Sequence, residues 1–439
     1  MREQRDLINE QLLQLIRCPR CVGDKVSERE RGRLKSLGND FVCTICQTHY
    51  NGYDATLGEA RTLDDASILP RPGYVDLSLP EEIVGQPTLY LQEEFEHELD
   101  YEHISLPFLG AKVRNDLLHK LLRPGKTDLA LEVGCGNGKF CYWNRKRFGT
   151  VVGLDAAPLF ADEALNDIPL VRGDVRRLPF APASFDKIFS IDLLEHLPAE
   201  GIAPFFSELA RVLKPGGRVL IYSNTREMGR FAPIIRLERK IARFFSEHGV
   251  FDFTRDDLRK SDHIKALRTF DDLEKALGLA GFTIENKIFW NGVFQGLVDN
   301  IVIKLGEYLV RQSVRLQLSR REAQRKREGR SVRSRLSSAT TGLTNDWADG
   351  GGLQRMQSEV DENKAVRQAE KVAMQAELNA EENSAIDLQV RRYLKRSITS
   401  TRSKPVLVAL YLLTWLQQLD IILFGRFRTG PFFVVLRQK

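Results

Sequence analysis

The chain has no apolar leader. Residues 1–10 include Arg2, Glu3, Arg5, Asp6 and Glu10, so export is not expected and a cytoplasmic protein is. It also has no large excess of one charge. A net charge of +6 over 439 residues is too small by itself to imply a nucleic-acid partner. Cysteine is scarce, with six in all, which argues against a disulfide-stapled scaffold. Apolar residues are not scarce. At 42% of the chain they support a sizeable core, and the length fits two or three domains of about 150 residues.

Four of the six cysteines form two pairs, Cys18-Pro19-Arg20-Cys21 and Cys43-Thr44-Ile45-Cys46. Without a leader, this spacing favours thiolates on a metal over disulfides. Two such knuckles can place four sulfurs tetrahedrally around zinc. Residues 1–60 are therefore expected to form a zinc module, with Cys18, Cys21, Cys43 and Cys46 as ligands and short strands near 33–37 and 39–42. So small a module buries little core, and the metal would supply much of its folding energy. His49 is close by, but four thiolates already complete a site. The surroundings Leu-Ile-Arg-Cys-Pro-Arg-Cys and Cys-Gln-Thr-His-Tyr resemble zinc ribbons of the tRNA-methyltransferase-activator type, which are often fused to methyltransferases.

The most informative stretch is Leu131-Glu132-Val133-Gly134-Cys135-Gly136-Asn137-Gly138-Lys139-Phe140. Apolar residues 129–133 read as a buried parallel strand. Three glycines at alternate positions then allow a sharp bend and a close backbone approach to a ligand. Residues 128–223 alternate strand and helix patterns, with strands at 129–133, 150–154, 170–172, 185–191 and 218–222. The fold class implied is α/β: a doubly wound, mostly parallel sheet with helices on both faces. Right-handed crossovers bring the strand ends to one edge, where ligands bind.

Acidic residues occupy those strand ends. Glu132 lies in the first strand. Asp155 ends the second, at a distance from Gly138 that suits a carboxylate binding ribose hydroxyls. Asp174 ends the third, where a carboxylate can accept from an adenine amino group. Asp192 ends the fourth, with Glu195-His196 after it, and Lys214-Pro215-Gly216-Gly217 turns into the fifth. A dinucleotide-binding dehydrogenase fits poorly. Its GxGxxG fingerprint places the third glycine one residue later, and no second nucleotide-binding half is present.

The ordered set Glu-Val-Gly-Cys-Gly-Asn-Gly, Gly-Leu-Asp, Gly-Asp-Val-Arg-Arg-Leu-Pro-Phe, Ser-Phe-Asp-Lys-Ile with Leu-Glu-His-Leu, and Leu-Lys-Pro-Gly-Gly-Arg resembles class I S-adenosylmethionine-dependent methyltransferases. The likeness is to the ubiquinone/menaquinone C-methyltransferase branch in particular and covers 128–290. It implies a Rossmann-like sheet of seven strands and S-adenosylmethionine as cofactor. It also implies cofactor contacts from Glu132, Gly134, Cys135, Gly136, Gly138, Asp155, Ala156, Asp174, Val175 and Asp192. His196 is the candidate general base, since imidazole titrates near neutrality. The plainer alternative is that Glu195-His196 starts a helix and shapes the pocket. Cys135 and Cys141 read as small packing residues.

Around this core, residues 61–127 are an acidic, proline-punctuated linker followed by an amphipathic helix over 108–122. Residues 224–262 are basic and aromatic and read as an amphipathic lid or a surface helix. Residues 431–439 resemble the family's seventh strand, which makes 291–430 a helical, partly disordered insertion. Within it, 293–311 is amphipathic, 311–335 has ten Lys/Arg against two Glu, 331–352 is polar, and an alanine stripe near 366–380 could form a weak coiled coil. Residues 406–424 are almost wholly apolar, interrupted by Gln417, Gln418 and Asp420. A carboxylate in mid-span is costly, so an interfacial or protein-packed pair with 293–311 is preferred to a crossing.

The expected activity is methyl transfer from S-adenosylmethionine to a lipid-like or membrane-proximal small molecule, by a protein peripheral to the inner membrane face. The basic run would fit anionic lipid or RNA phosphates, which keeps an RNA methyltransferase as the rival. A third reading is a non-catalytic partner-docking protein. Oligomeric state is not legible.

Overall fold

The computed structural model describes residues 12–37, 40–50, 73–78, 103–253, 257, 263–313, 316 and 404–439. The acidic stretch at 93–102, most of the basic run, the polar segment 331–352 and the alanine stripe lie outside the described residues. The chain divides into two compact units, residues 1–302 with 401–439 and residues 303–400. In the second, residues 303–313 are helical, and Lys304 meets Glu307 at 3.4 Å.

The first unit begins with a small antiparallel sheet of β1 (Leu34–Leu37), β2 (Asp40–Cys43) and β3 (His49–Tyr50). The main sheet uses β4 (Val75–Asp76), β5 (Leu129–Val133), β6 (Thr150–Asp155), β7 (Leu170–Arg172), β8 (Phe185–Ile191), β9 (Leu213–Asn224), β10 (Phe282–Phe289) and β11 (Pro431–Gln438). Their order is β10-β11-β9-β8-β5-β6-β7-β4. Neighbours from β9 to β4 are parallel, whereas β11 is antiparallel to both β9 and β10. The fold is Rossmann-like and doubly wound, as the strand–helix alternation implied. To the seven expected strands it adds one short edge strand, β4.

The strands are apolar on both faces because both are covered. Leu131, Val133, Val152 and Ile188 join one core with Phe205, Phe206 and Leu209 of α4 (Ala199–Val212). Ala130, Val151 and Phe189 join another with Leu117, Leu118 and Leu121 of α1 (Leu109–Leu122). Between β5 and β9 the helices are α2 (Lys139–Asn144), α3 (Asp162–Asp167) and α4. Pro215-Gly216-Gly217 forms a bulge, since the β8–β9 register jumps from Phe185–Leu213 to Lys187–Arg218. After β9 come α5 (Ala232–Glu247) and α6 (Phe270–Leu279). α6 opens with a full capping box between Thr269 and Asp272.

The cysteine module extends the main core. Leu12, Leu15, Ile16, Phe41 and Tyr50 belong to the same apolar cluster as Val175, Phe180 and Phe206. Backbone pairing joins them, with the Arg17 N–H donating to the Pro179 carbonyl at 2.8 Å and the Ala181 N–H to that of Leu15 at 2.9 Å. Arg177 completes the junction by donating to the carbonyls of Pro19 and Val22.

β10 and β11 pair as a hairpin, Phe289 opposite Phe432, although the long insertion separates them. Two helices of that insertion lie in the first unit: α7 (Val293–Leu297), continued by a π turn over Val298–Val302, and α8 (Lys404–Phe424). α8 has the reverse of ordinary amphipathicity. Its polar residues Thr414, Gln417 and Asp420 are buried, while Leu412, Trp415 and Ile422 are 61%, 56% and 69% exposed. Thr414 accepts from the Leu109 N–H, Gln417 donates to Asp299, and Gln418 donates to Asp116. Its polar stripe therefore faces protein, and much of its apolar face is bare. By length and composition it is the one helix among the described residues able to cross a membrane.

Candidate functional site

The bend after β5 rests on the end of β6. The N–H groups of Gly134 and Cys135 both donate to the Leu154 carbonyl, at 2.8 and 3.0 Å. Gly134, Gly136 and Gly138 all have positive φ, at 75°, 54° and 80°, which favours glycine. Their surroundings differ. A Cβ on Gly134 would lie 2.9 Å from Leu193, and one on Gly138 would lie 2.7 Å from Ala164. A Cβ on Gly136 would meet nothing within 4 Å among the described residues. The outer glycines serve close packing, and the middle one borders open space.

Asp155 closes this bend. One carboxylate oxygen accepts the Gly136 N–H at 2.7 Å, and the other accepts that of Ala157 at 2.9 Å. Burial raises its pKa and these amides pull it back. The adjacent Ala156 carbonyl accepts from Arg172 at 3.2 Å.

Glu132 and Asp174 make other contacts. Glu132 is 1% exposed and accepts from both the backbone N–H and the Sγ of Cys141, at 2.9 Å each. It ties β5 to the first turn of α2. Burial pushes its pKa up to about 8. Cys135 and Cys141 are buried and serve as packing residues. Asp174 is held in a fork by Arg176, with Nε 3.0 and 3.1 Å from its two oxygens and Nη2 at 2.6 Å. Oδ1 also accepts the Arg176 backbone N–H at 2.7 Å, so each oxygen already has two donors from Arg176 and a ligand would have to displace one. Val175 beside it is buried.

At the end of β8, Asp192 has φ of 58°, uncommon outside glycine. Its N–H donates to the Tyr222 carbonyl at 3.0 Å, and its carboxylate lies 3.6 Å from Nε of Arg114. That guanidinium sits over the Tyr222 ring, 5.3 Å from its centre. Burial alone would lower the Arg114 pKa, but Asp192 and Tyr222 raise it. Arg114 was not legible as a site residue, because its role depends on α1 crossing the strand ends.

Glu195 and His196 occupy the turn after β8. Glu195 is 2% exposed. Its carboxylate accepts from the Ser223 hydroxyl at 2.5 Å and from Asn224 Nδ2 at 3.0 Å. Burial, then the charge of Asp192, pushes its pKa up to about 7. The His196 ring meets that of His263 edge to face at 4.8 Å. The loop carrying His263 is pinned twice. The Lys265 N–H donates to the Glu195 carbonyl at 2.8 Å, and Arg226 donates to that of Ile264 at 2.7 Å. β8 runs parallel beside β5, and a Cβ on Gly134 would meet Leu193 of the turn after β8, so the histidine pair borders the same edge as the glycine bend.

In the cysteine module all four sulfurs lie within 4.8 Å of one another, with Cys18 and Cys46 at 3.6 Å. Zinc–sulfur bonds of about 2.3 Å in a tetrahedron set sulfurs about 3.8 Å apart, so the donors fit zinc. Burial pushes the free thiols of Cys18 and Cys21 up to about 12 and about 11, and a bound cation would reverse that.

A family model described as a methyltransferase domain matches residues 131–221. The sterol 24-C-methyltransferase of Pneumocystis carinii is 37% identical over 116 residues, covering 24% of this chain and 29% of that protein. The malonyl-[acyl-carrier protein] O-methyltransferase of Erwinia pyrifoliae is 33% identical over 128 residues, covering 26% and 48%. Each alignment thus spans less than half of the relative's length. Among solved structures, a phosphoethanolamine N-methyltransferase 2 of Haemonchus contortus with S-adenosylhomocysteine aligns at 21% identity and a TM-score of 0.36, covering 51% of this chain and 48% of that one. On the family model and these sequence relatives, residues 131–221 carry the signature of a class I, S-adenosylmethionine-dependent methyltransferase domain.

Proposed function

We propose that the chain transfers the methyl group of S-adenosylmethionine to a lipid-like or membrane-proximal small molecule. The observation that carries this reading is the glycine bend locked to Asp155, with open space at Gly136 and Asp192 and His196 on the same sheet edge. The cofactor is a sulfonium cation, which carboxylates attract. Gly134, Cys135, Gly136 and Gly138 would border its amino-acid tail, Asp155 and Ala156 its ribose, and Asp174 with Val175 its base. Glu132 acts beneath them by holding α2. In the reaction an acceptor atom bonds to the methyl carbon as the carbon–sulfur bond breaks, and the electron pair stays on sulfur. Alignment and water exclusion are what the protein must supply. His196 stands on the acceptor side.

The exposed apolar surface supports the acceptor class. Ile234, Leu237 and Phe244 of α5 are 45%, 60% and 55% exposed, and Arg236, Arg239, Lys240 and Arg243 share that helix. Phe231, just before α5, packs on Phe424 of α8 with ring centres 4.4 Å apart, so two helices with bare apolar faces adjoin. Such surfaces suit an interfacial position on an anionic membrane. Sterol and tocopherol methyltransferases among the relatives favour an apolar acceptor. The four thiolates are read as a structural zinc site.

The test is incubation of the purified protein with labelled methyl donor and fractionated cell extract. Label in the lipid fraction is the expected result. Label confined to RNA or protein, or failure to bind S-adenosylhomocysteine in calorimetry, overturns the reading.

A further inference from the structure

On the same sheet edge as the glycine bend lies a donor set that methyl transfer alone does not require. One ligand atom each from Glu195, His196 and His263 lies within 4.8 Å of the other two. Three separate pieces of chain converge here. Glu195 and His196 come from the turn after β8, His263 from the loop before α6, and Ser223 with Asn224 from the end of β9. Ser223 and Asn224 fix the Glu195 carboxylate while leaving each oxygen a second lone pair. The hydrogen bonds from the Lys265 backbone N–H and the Arg226 guanidinium hold the 263–267 loop, and with it His263, against the His196 ring. The carboxylate supported in this way by Ser223 and Asn224 is pre-oriented for an ion.

A second observation points to a ligand. Asn224 donates through Nδ2 to Glu195, yet its Oδ1 is buried with no donor among the described residues. The two amide atoms share one carbon, so this oxygen lies within about 5 Å of Glu195. A buried acceptor left unmatched costs about 1–3 kcal/mol. A cation or a water bound to it would satisfy the oxygen.

We propose that Glu195, His196 and His263 bind a divalent transition-metal cation, whose open positions take an oxygen of the methyl acceptor. Two imidazoles and one carboxylate suit manganese, iron, cobalt or zinc better than magnesium or calcium. Three protein ligands leave positions open, unlike the four-thiolate site, which is closed. Metal–ligand bonds of about 2.1 Å require adjacent donors about 3 Å apart, so the widest pair must close by 1–2 Å, roughly a rotamer adjustment of the half-exposed histidines. In this arrangement His196 uses its lone pair on the cation and is not the general base. The acceptor class then includes hydroxyl or enol compounds: the cation would acidify the bound O–H, its proton passing to solvent water, and the oxygen would take the methyl carbon while the electron pair of the broken carbon–sulfur bond stays on sulfur. That last step rests on the methyl-transfer reading, whereas the cation site does not.

The test is a manganese titration of the whole protein followed by electron paramagnetic resonance, with cofactor-product binding measured separately by calorimetry. Manganese is chosen because thiolates select softer metals. The expected result is one manganese per chain, weakened at least tenfold in both His263→Gln and Glu195→Gln, with S-adenosylhomocysteine affinity unchanged within twofold in His263→Gln. If Glu195→Gln fails to fold, His263→Gln alone decides. Manganese affinity unchanged in His263→Gln, or no binding by protein that binds S-adenosylhomocysteine, overturns the proposal. A chain that binds manganese through these residues but not S-adenosylhomocysteine supports the site and sinks the methyl-transfer reading.

Discussion

Asp420, fully buried in the most apolar helix among the described residues, accepts the backbone N–H of Phe294 at 2.9 Å. It also accepts that of Gln295 at 2.8 Å and the indole N–H of Trp290 at 3.3 Å. The carboxylate thus caps α7 from a neighbouring helix. Asp420→Ala leaves three donors unmatched and should destabilise the first unit by about 3 kcal/mol, read from urea unfolding. Asp420→Asn, which keeps one acceptor oxygen, should cost less. Equal losses would show that the side chain's volume, not its hydrogen bonds, matters.

The three glycines should separate by their surroundings. Gly136→Ala costs about 1–2 kcal/mol for its left-handed backbone and should weaken S-adenosylhomocysteine binding at least tenfold, because the methyl group enters the cofactor's space. Gly138→Ala collides with Ala164 and should lower the melting temperature more. Calorimetry and thermal melts on the two variants check this. Cofactor affinity unchanged in Gly136→Ala would move the cofactor elsewhere.

Glu132 gives a pH dependence of definite sign. Folding lifts its pKa from 4.5 to about 8, so across that window the native chain holds a proton that the unfolded chain has released. Its stability is full below the lower value and falls as pH rises through the upper one. Glu132→Gln mimics the protonated form and should flatten the decline in melting temperature between about pH 6 and 8.5. A decline of the same steepness in the variant would assign the effect to another group.

Chelation of the cysteine module should reach the whole first unit. Leu15, Ile16 and Phe41 share a core with Phe180 and Phe206, so a strong zinc chelator should shift the main unfolding transition downward. A separate low-temperature transition, with the main one unmoved, would show that the module folds independently.

The features legible in the sequence were local ones. β5, β7 and β8 run over the residues their apolar pattern marks, and the glycine bend sits where the spacing places it. What was not legible depends on which side of a strand a residue faces. Glu132 alternates onto the face of Ala130, beneath α2, and so bonds Cys141. Asp174 is engaged by Arg176 two residues on, and strand position does not show that. Arg114, His263 and Asn224 reach the site from a helix, a loop and a strand end far apart in sequence, and only topology joins them. Asp420 looked costly in an apolar run. The hydrogen bonds it makes to the start of α7 and to Trp290 account for it.

The placement of β11 has a consequence for biosynthesis. An interior strand emerges from the ribosome only after the residues between β10 and β11, so until then β9 offers an unpaired edge to its surroundings. A nascent chain in that state is a template for strand addition by any neighbour. Chaperone dependence during synthesis should be set by how quickly that gap is filled, and a frameshift within the insertion would leave the gap permanently open.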